Sequence, residues 1–524
     1  MGRLPMLPHV VSDQSEIFEF LGKAATYGIA EAVKRIDTHG AAVFLAGPDV
    51  YKVKRAVRYP FMDFSTLDRR KAACEEEILA NRHNAPDIYL GVIAITRSRG
   101  ALHLGGEGEV VEWAVHMRRF DENATLDKVA RRDGLGPDMV AELASAVARA
   151  HRQAPVKDFD SRRALAGYIS ENGETLAEMA EIFSVERARR LTSTAHEQLL
   201  ARADLLSERR NAGFVRRCHG DLHLRNIAVI DGKPVLFDAL EFDETMATGD
   251  VLYDLAFLIM DLWERGFEQA ANACLNRYLW EQAGSDHMRG LALLPVFLSV
   301  RSAIRAKVVG LSLPQLDEGQ RARATLEAQR YFALAEEFLT AKPPLLVAVG
   351  GLSGTGKTTV AAMLAPRVGR IPGAVHIRSD IERKLMLGVT ASERLDESGY
   401  TAATSAEVYA RMRLKAGLAL TAGFAVVADA VHVALEERVG IERIAYDHCR
   451  DFAGFWLDAP LELRIARVQH RHNDASDADA AYLIRQPKVD PKSLFWECVD
   501  ASGTAASIAD DVVSRLHRQS AQDP

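Results

Sequence analysis

The sequence predicts an α+β domain followed by an α/β domain with a mostly parallel sheet. A chain of 524 residues is too long for one hydrophobic core. Strand patterns dominate roughly residues 30–120, and amphipathic helical patterns dominate roughly residues 121–342. After Lys342-Pro343-Pro344, apolar strands and helical segments alternate, which is typical of βαβ units. We therefore predict one domain at residues 1–342, with those two lobes, and a second at residues 343–524.

Composition and charge narrow the class of protein. A hydrophobic fraction of 48% and a charged fraction of 26% are those of an ordinary globular protein. The net charge of −7, with no basic block, argues against nucleic acid and against a membrane surface as partners. The five cysteines are scattered without metal-ligand spacing and predict free thiols. Neither a signal-peptide pattern nor an apolar run of ~18–20 residues is present, which predicts a cytoplasmic protein.

Strand and helix signals follow one another in the first lobe. Residues 41–57 are apolar and β-branched around Gly47-Pro48-Asp49, which indicates a hairpin. Residues 65–81 form a charged helical pattern, and residues 88–96 and 109–118 return to strand-like alternation. A β-rich lobe with one helix is therefore expected before the helical lobe.

The segment His219-Gly220-Asp221-Leu222-His223-Leu224-Arg225-Asn226 has the His-x-Asp-x-x-x-x-Asn spacing of a kinase catalytic loop. This spacing puts a carboxylate near an acceptor hydroxyl and an amide near a metal ion. A turn and an apolar strand follow, and the strand ends at Asp238, where such kinases place a second Mg²⁺ ligand. The alternative for Asp221, a loop capping residue, does not explain the Asp238 that follows.

This segment resembles the aminoglycoside phosphotransferase and choline kinase superfamily, whose loop commonly reads His-Gly-Asp. The resemblance implies a two-lobed, protein-kinase-like fold, ATP and Mg²⁺ as cofactors, and Asp221 as the catalytic base. It also implies that Asn226 and Asp238 are Mg²⁺ ligands and that His219 is a structural support. The segments around Asp250 and Asp254 are similar to the helix that follows in that superfamily.

A phosphate-binding lysine is expected on the strand after the first hairpin turn. Lys52 and Lys54 lie on the same face of that strand, because side chains repeat every two residues. Lys52 is preferred, because the residue left on that face towards adenine is then the apolar Val50 and not a second lysine. Its carboxylate partner is expected at Glu76 or Glu77, and Glu77 is preferred because Glu77-Ile78 resembles the Glu–aliphatic step of that superfamily. A solvated glutamate run is the alternative for this segment.

The segment Gly351-Leu352-Ser353-Gly354-Thr355-Gly356-Lys357-Thr358 fits the phosphate-loop (P-loop) pattern at every specified position. Glycines let backbone N–H groups turn inward around phosphate oxygens, and the next helix presents its positive N-terminus. Lys357 is expected to reach the β- and γ-phosphates as a catalytic residue, and Thr358 to ligate Mg²⁺. The predicted nucleotide-binding residues here are Gly351, Ser353, Gly354, Thr355, Gly356, Lys357, Thr358 and Thr359.

Further residues of the second domain are candidates for metal and substrate contacts. Asp429 ends an apolar stretch, as in a Walker B strand, and is predicted to hold the Mg²⁺ shell; a solvated strand end is the alternative. Residues 379–384 resemble the small P-loop kinases related to polynucleotide kinase and zeta toxins. The resemblance implies Asp380 as a catalytic base and Arg383 as a substrate-binding residue, and helix capping is the alternative for Asp380.

A basic segment further along resembles the lid of such kinases. Lid arginines stabilise charge on the transferred phosphoryl group. Arg467 and Arg471 are the predicted substrate-binding residues, and Arg464 and Ser476-Asp477-Ala478 belong to the same segment. A solvated basic helix face is an equally good interpretation of the arginines.

Taken together, the motifs predict a bifunctional ATP-dependent kinase that phosphorylates hydroxyl groups of small metabolites such as sugars or aminoglycoside-like molecules. One alternative is that one nucleotide-binding domain regulates the other. Another is that the second domain is a nucleic-acid end kinase or a toxin-like nucleotide-sugar kinase. Glu241, with Asp243 and Glu244, would suit a polycationic acceptor, whereas Arg301, Arg305 and Lys307 would suit an anionic one.

Overall fold

The computed structural model describes residues 9–59, 62–282, 284–391, 393–469, 475–477, 480–486, 489 and 494–520. The chain divides into two compact units. The first consists of Met1–Ser161 and Glu208–Leu258, and the second of Arg162–Ser207 and Ile259–Pro524. The chain therefore passes between the units at three points.

A six-stranded antiparallel sheet, with strand order β1-β2-β3-β8-β6-β7, forms the first part of the first unit. Both faces of this sheet are covered, since Phe44 and Val53 are buried on one side and Leu45 and Val50 on the other, beside helix α2. The elements of this part are α1 (Ser15–Leu21), β1 (Lys34–Asp37), β2 (Ala41–Ala46), β3 (Asp49–Lys54), β4 (Arg58–Tyr59), β5 (Met62–Asp63), α2 (Leu67–Asn81), β6 (Tyr89–Ser98), β7 (Ala101–Leu104) and β8 (Glu109–Arg118).

Helices and two short hairpins follow the sheet. Strand β9 pairs with β12 and β10 pairs with β11, so the residues between them form a loop held at both ends. Helices α7 and α9 each pass from one unit to the other. The elements are α3 (Leu126–Asp133), α4 (Pro137–Gln153), α5 (Ser161–Glu178), α6 (Val185–Leu200), α7 (Ala203–Asn211), β9 (Val215–Arg217), β10 (Ile227–Ile230), β11 (Lys233–Leu236), α8 (Glu244–Ala247), β12 (Thr248–Asp250) and α9 (Val251–Glu264).

The second unit contains a helical layer in which α12 is buried along most of its length. Its buried hydroxyl groups are satisfied by the neighbouring helix: Ser299 and Ser302 donate to the carbonyls of Ala335 and Tyr331, both at 2.7 Å. The helices of this layer that follow α9 are α10 (Glu268–Glu281), α11 (Ser285–Gly290), α12 (Leu294–Ser312) and α13 (Glu318–Leu339).

A five-stranded parallel sheet, with order β14-β15-β13-β16-β17, completes the second unit. Its central strands are apolar up to their carboxyl ends, where Asp429 and Asp458 lie, as is typical of a parallel sheet that helices cover on both faces. The elements are β13 (Leu346–Gly351), α14 (Lys357–Leu364), β14 (Val375–Arg378), α15 (Ser379–Leu387), α16 (Ala402–Thr421), β15 (Val426–Asp429), α17 (Leu435–Asp447), β16 (Phe452–Asp458), α18 (Leu461–Gln469), α19 (Ala480–Arg485), β17 (Glu497–Asp500) and α20 (Ala505–Ser520).

These sheets confirm the predicted fold class, an α+β kinase-like part before a parallel α/β part. The domain boundary between residues 342 and 343 stays a prediction. Helices on its N-terminal side, including α10 to α13, lie in the same compact unit as the parallel sheet. Among the described residues, no helix is both long and apolar enough to cross a bilayer.

Candidate active sites

A row of alternating charges lies where β3, α2 and the segment after β11 meet. The carboxylate of Glu77 accepts from Lys52 Nζ at 2.8 Å and from Lys54 Nζ at 2.6 Å. Lys52 Nζ also lies 2.8 Å from Asp238 Oδ1, and Lys54 Nζ donates to Glu241. Each buried charge therefore has an opposite neighbour on both sides along the row Asp238–Lys52–Glu77–Lys54–Glu241.

The half of this row around Lys54 is buried, whereas the half around Lys52 and Asp238 is open to solvent. The side chain of Lys54 is 1% exposed, whereas Lys52 is 16% and Asp238 42% exposed. Burial opposes ionisation of Glu77, but Lys52 and Lys54 lower its pKa to about 2. Burial likewise opposes the charge on Lys52, yet Asp238 and Glu77 raise its pKa well above the ordinary value. Lys52 and Glu77 are thus charged at neutral pH.

The row distinguishes the residues that the sequence left as alternatives. Glu77 meets both lysines, whereas Glu76 pairs with Arg217 at 3.0 Å. Glu241, which the sequence predicts to face an acceptor, is 10% exposed and bound to Lys54. Its role in substrate binding stays a prediction.

Asp238 lies in the left-handed backbone region, with φ 58°, two residues after the end of β11. Its N–H donates to the Tyr89 hydroxyl at 3.0 Å, and the next N–H, of Ala239, donates to Asn81 Oδ1 at 2.7 Å. The sequence analysis missed Asn81 and Tyr89. Asn81 lies four residues after Glu77, on the same face of α2, which is a signal that could have found it.

The loop between β9 and β10 brings Asp221, Asn226 and two histidines together. Asn226 Nδ2 donates to both the backbone carbonyl and the carboxylate of Asp221, each at 3.0 Å. His223 Nε2 lies 3.4 Å from the same carboxylate, whose side chain is 39% exposed. His219 is buried against the Phe237 carbonyl at 3.0 Å, and burial lowers its pKa.

A second carboxylate, that of Asp254, is hydrogen-bonded to the backbone of this loop. The Gly220 N–H donates to Asp254 Oδ1 at 2.8 Å, and Asp254 Oδ2 lies 3.1 Å from His151 Nε2. Gly220 has φ 81°, and a β-carbon there would lie 3.0 Å from Leu240. Asp254 lies in α9, in the segment that the sequence analysis compared with that superfamily. His151, on α4, had no sequence signal.

Asn226 and Asp238 offer side-chain oxygens, the ligands that Mg²⁺ prefers in proteins. The donor set of this first site therefore fits a magnesium ion. Lys52 places a positive charge beside Asp238, and its contact with phosphate oxygens stays a prediction.

The second site is built on the turn between β13 and α14. Gly351, Gly354 and Gly356 have φ values of 138°, 84° and 89°. A β-carbon at Gly354 would lie 2.7 Å from the Arg464 carbonyl oxygen, and one at Gly351 would lie 2.5 Å from the Leu457 carbonyl oxygen. Glycine is thus required both for backbone conformation and for close packing. The turn leads into the positive N-terminus of α14, a general anion-binding feature.

Asp429, at the carboxyl end of β15, is buried beside this turn. Thr358 Oγ1 donates to Asp429 Oδ2 at 2.7 Å. His376 Nε2 lies 3.5 Å and Arg378 Nε 3.8 Å from the same oxygen. Burial would raise the pKa of Asp429, but the adjacent His376 and the positive charges of Arg378 and Lys357 lower the pKa to about 2. A hydroxyl and an ionised carboxylate fit a Mg²⁺ ion.

A cleft of about 520 Å³ opens over the turn. Asp380 and Arg467 line it, as does the segment from Gly503 to Ile508, which the sequence analysis missed. Arg467 donates to the Thr355 carbonyl at 3.1 Å and to the Gly503 carbonyl at 2.9 Å, so it joins the turn to that segment. The predicted nucleotide-binding residues that line the cleft are Ser353, Gly354, Thr355, Gly356, Lys357, Thr358 and Thr359.

Other predicted residues of the lid and acceptor segments have partners within the protein. Arg383 is buried and donates to the Gly399 carbonyl at 2.8 Å, with Tyr400 stacked on its guanidinium at 4.7 Å. Asp477 accepts from the Tyr400 hydroxyl at 2.7 Å. Arg471 and Ala478 lie outside the described residues. The substrate contacts predicted for Arg383, Arg467 and Arg471 stay predictions.

Gln486, which the sequence analysis did not single out, contacts the turn directly. Its Oε1 accepts from the Ser353 N–H at 3.2 Å and from Arg464 at 2.7 Å, and its Nε2 donates to Ser353 Oγ at 3.1 Å. Gln486 and Arg464 thus tie the end of α19 to the turn.

Two family models match the chain. A model described as the phosphotransferase enzyme family matches residues 103–293, and one described as an AAA domain matches residues 346–489. A protein of Mycobacterium tuberculosis (strain ATCC 25618 / H37Rv) that is described as uncharacterized is 29% identical over 452 residues, covering 85% of this chain and 87% of its own. A protein of Mycobacterium bovis (strain ATCC BAA-935 / AF2122/97), with the same description, gives the same values.

Solved structures resemble either part. Choline kinase from Cryptosporidium parvum Iowa II is 14% identical, with 59% of this chain and 89% of that chain covered and a TM-score of 0.39. A thermostable mutant of aminoglycoside phosphotransferase APH(4)-Ia is 15% identical, with 60% and 98% covered and a TM-score of 0.36. A gluconokinase from Sinorhizobium meliloti 1021 is 20% identical, with 34% and 95% covered and a TM-score of 0.26.

The family matches confirm the predicted order, in which a phosphotransferase part precedes a P-loop part. Together, the two matches support a kinase-type phosphotransferase function, with a nucleotide-binding P-loop in the second part of the chain.

Proposed function

We propose that the chain is a bifunctional phosphotransferase that moves the γ-phosphoryl group of ATP to hydroxyl groups of small metabolites. The proposal is carried by one shared feature of both sites. Each combines a lysine for phosphate oxygens, oxygen donors suited to Mg²⁺ and a further carboxylate for the acceptor. These groups are Lys52, Asn226, Asp238 and Asp221 in the first site, and Lys357, Thr358, Asp429 and Asp380 in the second.

In the first site, Lys52 binds phosphate oxygens and Glu77 keeps it charged and oriented. Asn226 and Asp238 would hold Mg²⁺, which when bound neutralises negative charge on the phosphates. Asp221 accepts the proton of the acceptor hydroxyl as that oxygen attacks phosphorus. Asn226 and His223, both next to its carboxylate, orient it for that transfer.

In the second site, backbone N–H groups of the turn and Lys357 bind the phosphates. Thr358 and Asp429 would hold Mg²⁺, and the low pKa of Asp429 keeps that ligand ionised at neutral pH. Asp380, which lines the same cleft, is proposed to accept the acceptor proton. Arg467, also lining the cleft, is proposed to stabilise charge on the transferred group, and residues 503–508 to contact the nucleotide.

Small hydroxylated metabolites are the proposed acceptors because the chain carries a net charge of −7 and no basic stripe that would follow a nucleic-acid backbone. The row of charges at the first site also has one more carboxylate than lysine, which disfavours a polyanionic acceptor there.

Calorimetric titration with a non-hydrolysable ATP analogue and Mg²⁺ tests the proposal. We expect two equivalents to bind per chain and one to remain in Lys357→Ala. A stoichiometry of one that persists after Lys357→Ala would remove the second site from the proposal. Screening ADP release against a metabolite library, with Asp221→Asn and Lys357→Ala as single-site knockouts, then assigns an acceptor to each site.

A further inference from the structure

The outer edge of the parallel sheet is covered by a helix. Strand β14 is the edge strand, so one row of its backbone N–H and C=O groups has no strand partner among the described residues. Helix α10, which belongs to the same compact unit, lies along this edge. Three side chains at four-residue spacing, Asn272, Asn276 and Trp280, point at it from one face of the helix.

These side chains replace a neighbouring strand. Asn272 Nδ2 donates to the Ala374 carbonyl at 3.0 Å, and Asn276 Oδ1 accepts from the His376 N–H at 2.7 Å. Trp280 Nε1 donates to the His376 carbonyl at 3.1 Å. Four helical residues rise about 6.0 Å, close to the roughly 6.6 Å between every second residue of a strand. The step from Asn272 to Asn276 therefore matches the step from Ala374 to His376, and Trp280 bonds to the second edge group of His376.

The two asparagines are buried, so their contacts are part of the fold rather than surface contacts. Asn272 is 2% and Asn276 3% exposed, and they also bond to each other at 3.0 Å. Apolar residues in their place would leave buried backbone groups of β14 without partners. Helix α10 thus fixes the position of β14, which supplies two residues of the second site.

Of these three side chains, Trp280 lies nearest to the residues around Asp429 in the second site. Its ring meets the His376 ring edge-on, with centroids 6.0 Å apart, and the Arg378 guanidinium lies 5.6 Å from its centroid. His376 and Arg378 are the two residues that approach Asp429 at 3.5 and 3.8 Å. Trp280 is therefore separated from the Asp429 carboxylate by a single side chain, that of His376 or of Arg378.

We propose that Trp280 is a positioning residue of the second site, so that a helix of the phosphotransferase part completes the magnesium–nucleotide site of the P-loop part. The inference rests on the proposed function of that site. The Trp280 ring attracts Arg378 and so limits a closer ion pair with Asp429, which would compete with Mg²⁺. It also holds His376 where that ring orients the carboxylate. Such residues behind a metal ligand control metal affinity without touching the metal.

Titration of the full chain with the ATP analogue over a range of Mg²⁺ concentrations tests this inference. The signal of the second site is the binding that Lys357→Ala removes. In Trp280→Leu, which keeps bulk but loses both the aromatic face and the N–H donor, we expect half-saturation to need about 10-fold more Mg²⁺. Trp280→Phe keeps the aromatic face and should shift less. Arg277→Ala, on the same helix but paired with Glu281, is the matched control and should not shift.

A double-mutant cycle with His376→Ala separates positioning from packing. If Trp280 acts through His376, the effects of Trp280→Leu and His376→Ala on the Mg²⁺ requirement are not additive. A lower melting temperature in Trp280→Leu with an unchanged Mg²⁺ requirement would overturn the inference. The proposed function fails separately, if the wild-type chain shows no binding that depends on Lys357.

Discussion

At the scale of residues, the first site shows how one buried carboxylate organises two lysines. Glu77 bonds to Lys52 and Lys54 through different oxygens, so neither lysine can take the place of the other. Lys54 is enclosed and continues to Glu241, whereas Lys52 continues to the half-exposed Asp238. The Lys54–Glu241 end is closed to solvent, whereas the Lys52–Asp238 end is open to it. A buried charge without its partner is strongly destabilising, which explains why the row alternates throughout.

The catalytic role proposed for Asp221 yields a direct prediction. Asp221→Asn keeps the shape of the side chain but removes the base, so we expect phosphoryl transfer at the first site to fall by about 10²–10⁴-fold. Analogue binding should stay close to that of the wild type. ADP release with the acceptor found for this site measures the first effect, and calorimetry the second. Asp231→Asn, in the nearby hairpin turn with φ 50°, is the control and should retain turnover. Retained turnover in Asp221→Asn would show that another group is the base.

The sequence predicted much of this site because the motifs are local. The spacing from His219 to Asn226 and the strand end at Asp238 were readable from neighbouring residues. The pairing of Glu241 with Lys54 was not, since it depends on how the segment after β11 returns to β3. Tyr89 and His151 are remote in sequence from the groups they support, and no periodicity connects them.

At the scale of elements, the turn between β13 and α14 depends on glycines for two separable reasons. Positive φ values require glycine for conformational freedom, and close neighbours require the absence of a β-carbon. The strand, turn and helix of this motif were predictable from consecutive residues. Gln486 and residues 503–508 were not, because tertiary packing brings them to the cleft from the end of α19 and the start of α20.

A pair of glycines separates these two effects. Gly354 and Gly388 have similar φ values, 84° and 72°, but only Gly354 has a backbone atom close to the position of an added β-carbon. We expect Gly354→Ala to abolish the Lys357-dependent binding of the ATP analogue, since the turn must shift to admit the methyl group. Gly388→Ala should cost about 1 kcal/mol of stability and leave that binding intact. Calorimetry and thermal unfolding of both variants check the prediction. Equal losses of binding would mean that conformation alone, not packing, requires the glycine.

At the scale of the whole molecule, the motifs and the packing divide the chain differently. Pro343 and Pro344 separate two sets of motifs, and the two family matches lie on either side of them. The compact units do not follow that division, because α10 to α13 group with the parallel sheet. The sequence showed the local break at the prolines. It did not show that Asn272, Asn276 and Trp280 pair with β14, since helix side chains rarely substitute for a strand.

This packing predicts how fragments of the chain behave. Residues 343–524 lack α10, so the edge of β14 is uncovered, and we expect this fragment to associate and to bind the Mg²⁺–analogue complex more weakly than the intact chain. Residues 259–524 include α10 and should bind more like the intact chain. Chromatography and calorimetry compare the two fragments. A monomeric 343–524 fragment with intact affinity would contradict the expectation.

Coupled chemistry between the sites is a separate hypothesis, since a short tether raises the local concentration of one product to about the millimolar range at the other site. Related acceptors for the two sites, with faster double phosphorylation by the intact chain than by mixed single-site knockouts, would support it. Chemically unrelated acceptors would rule it out and leave both kinase assignments in place.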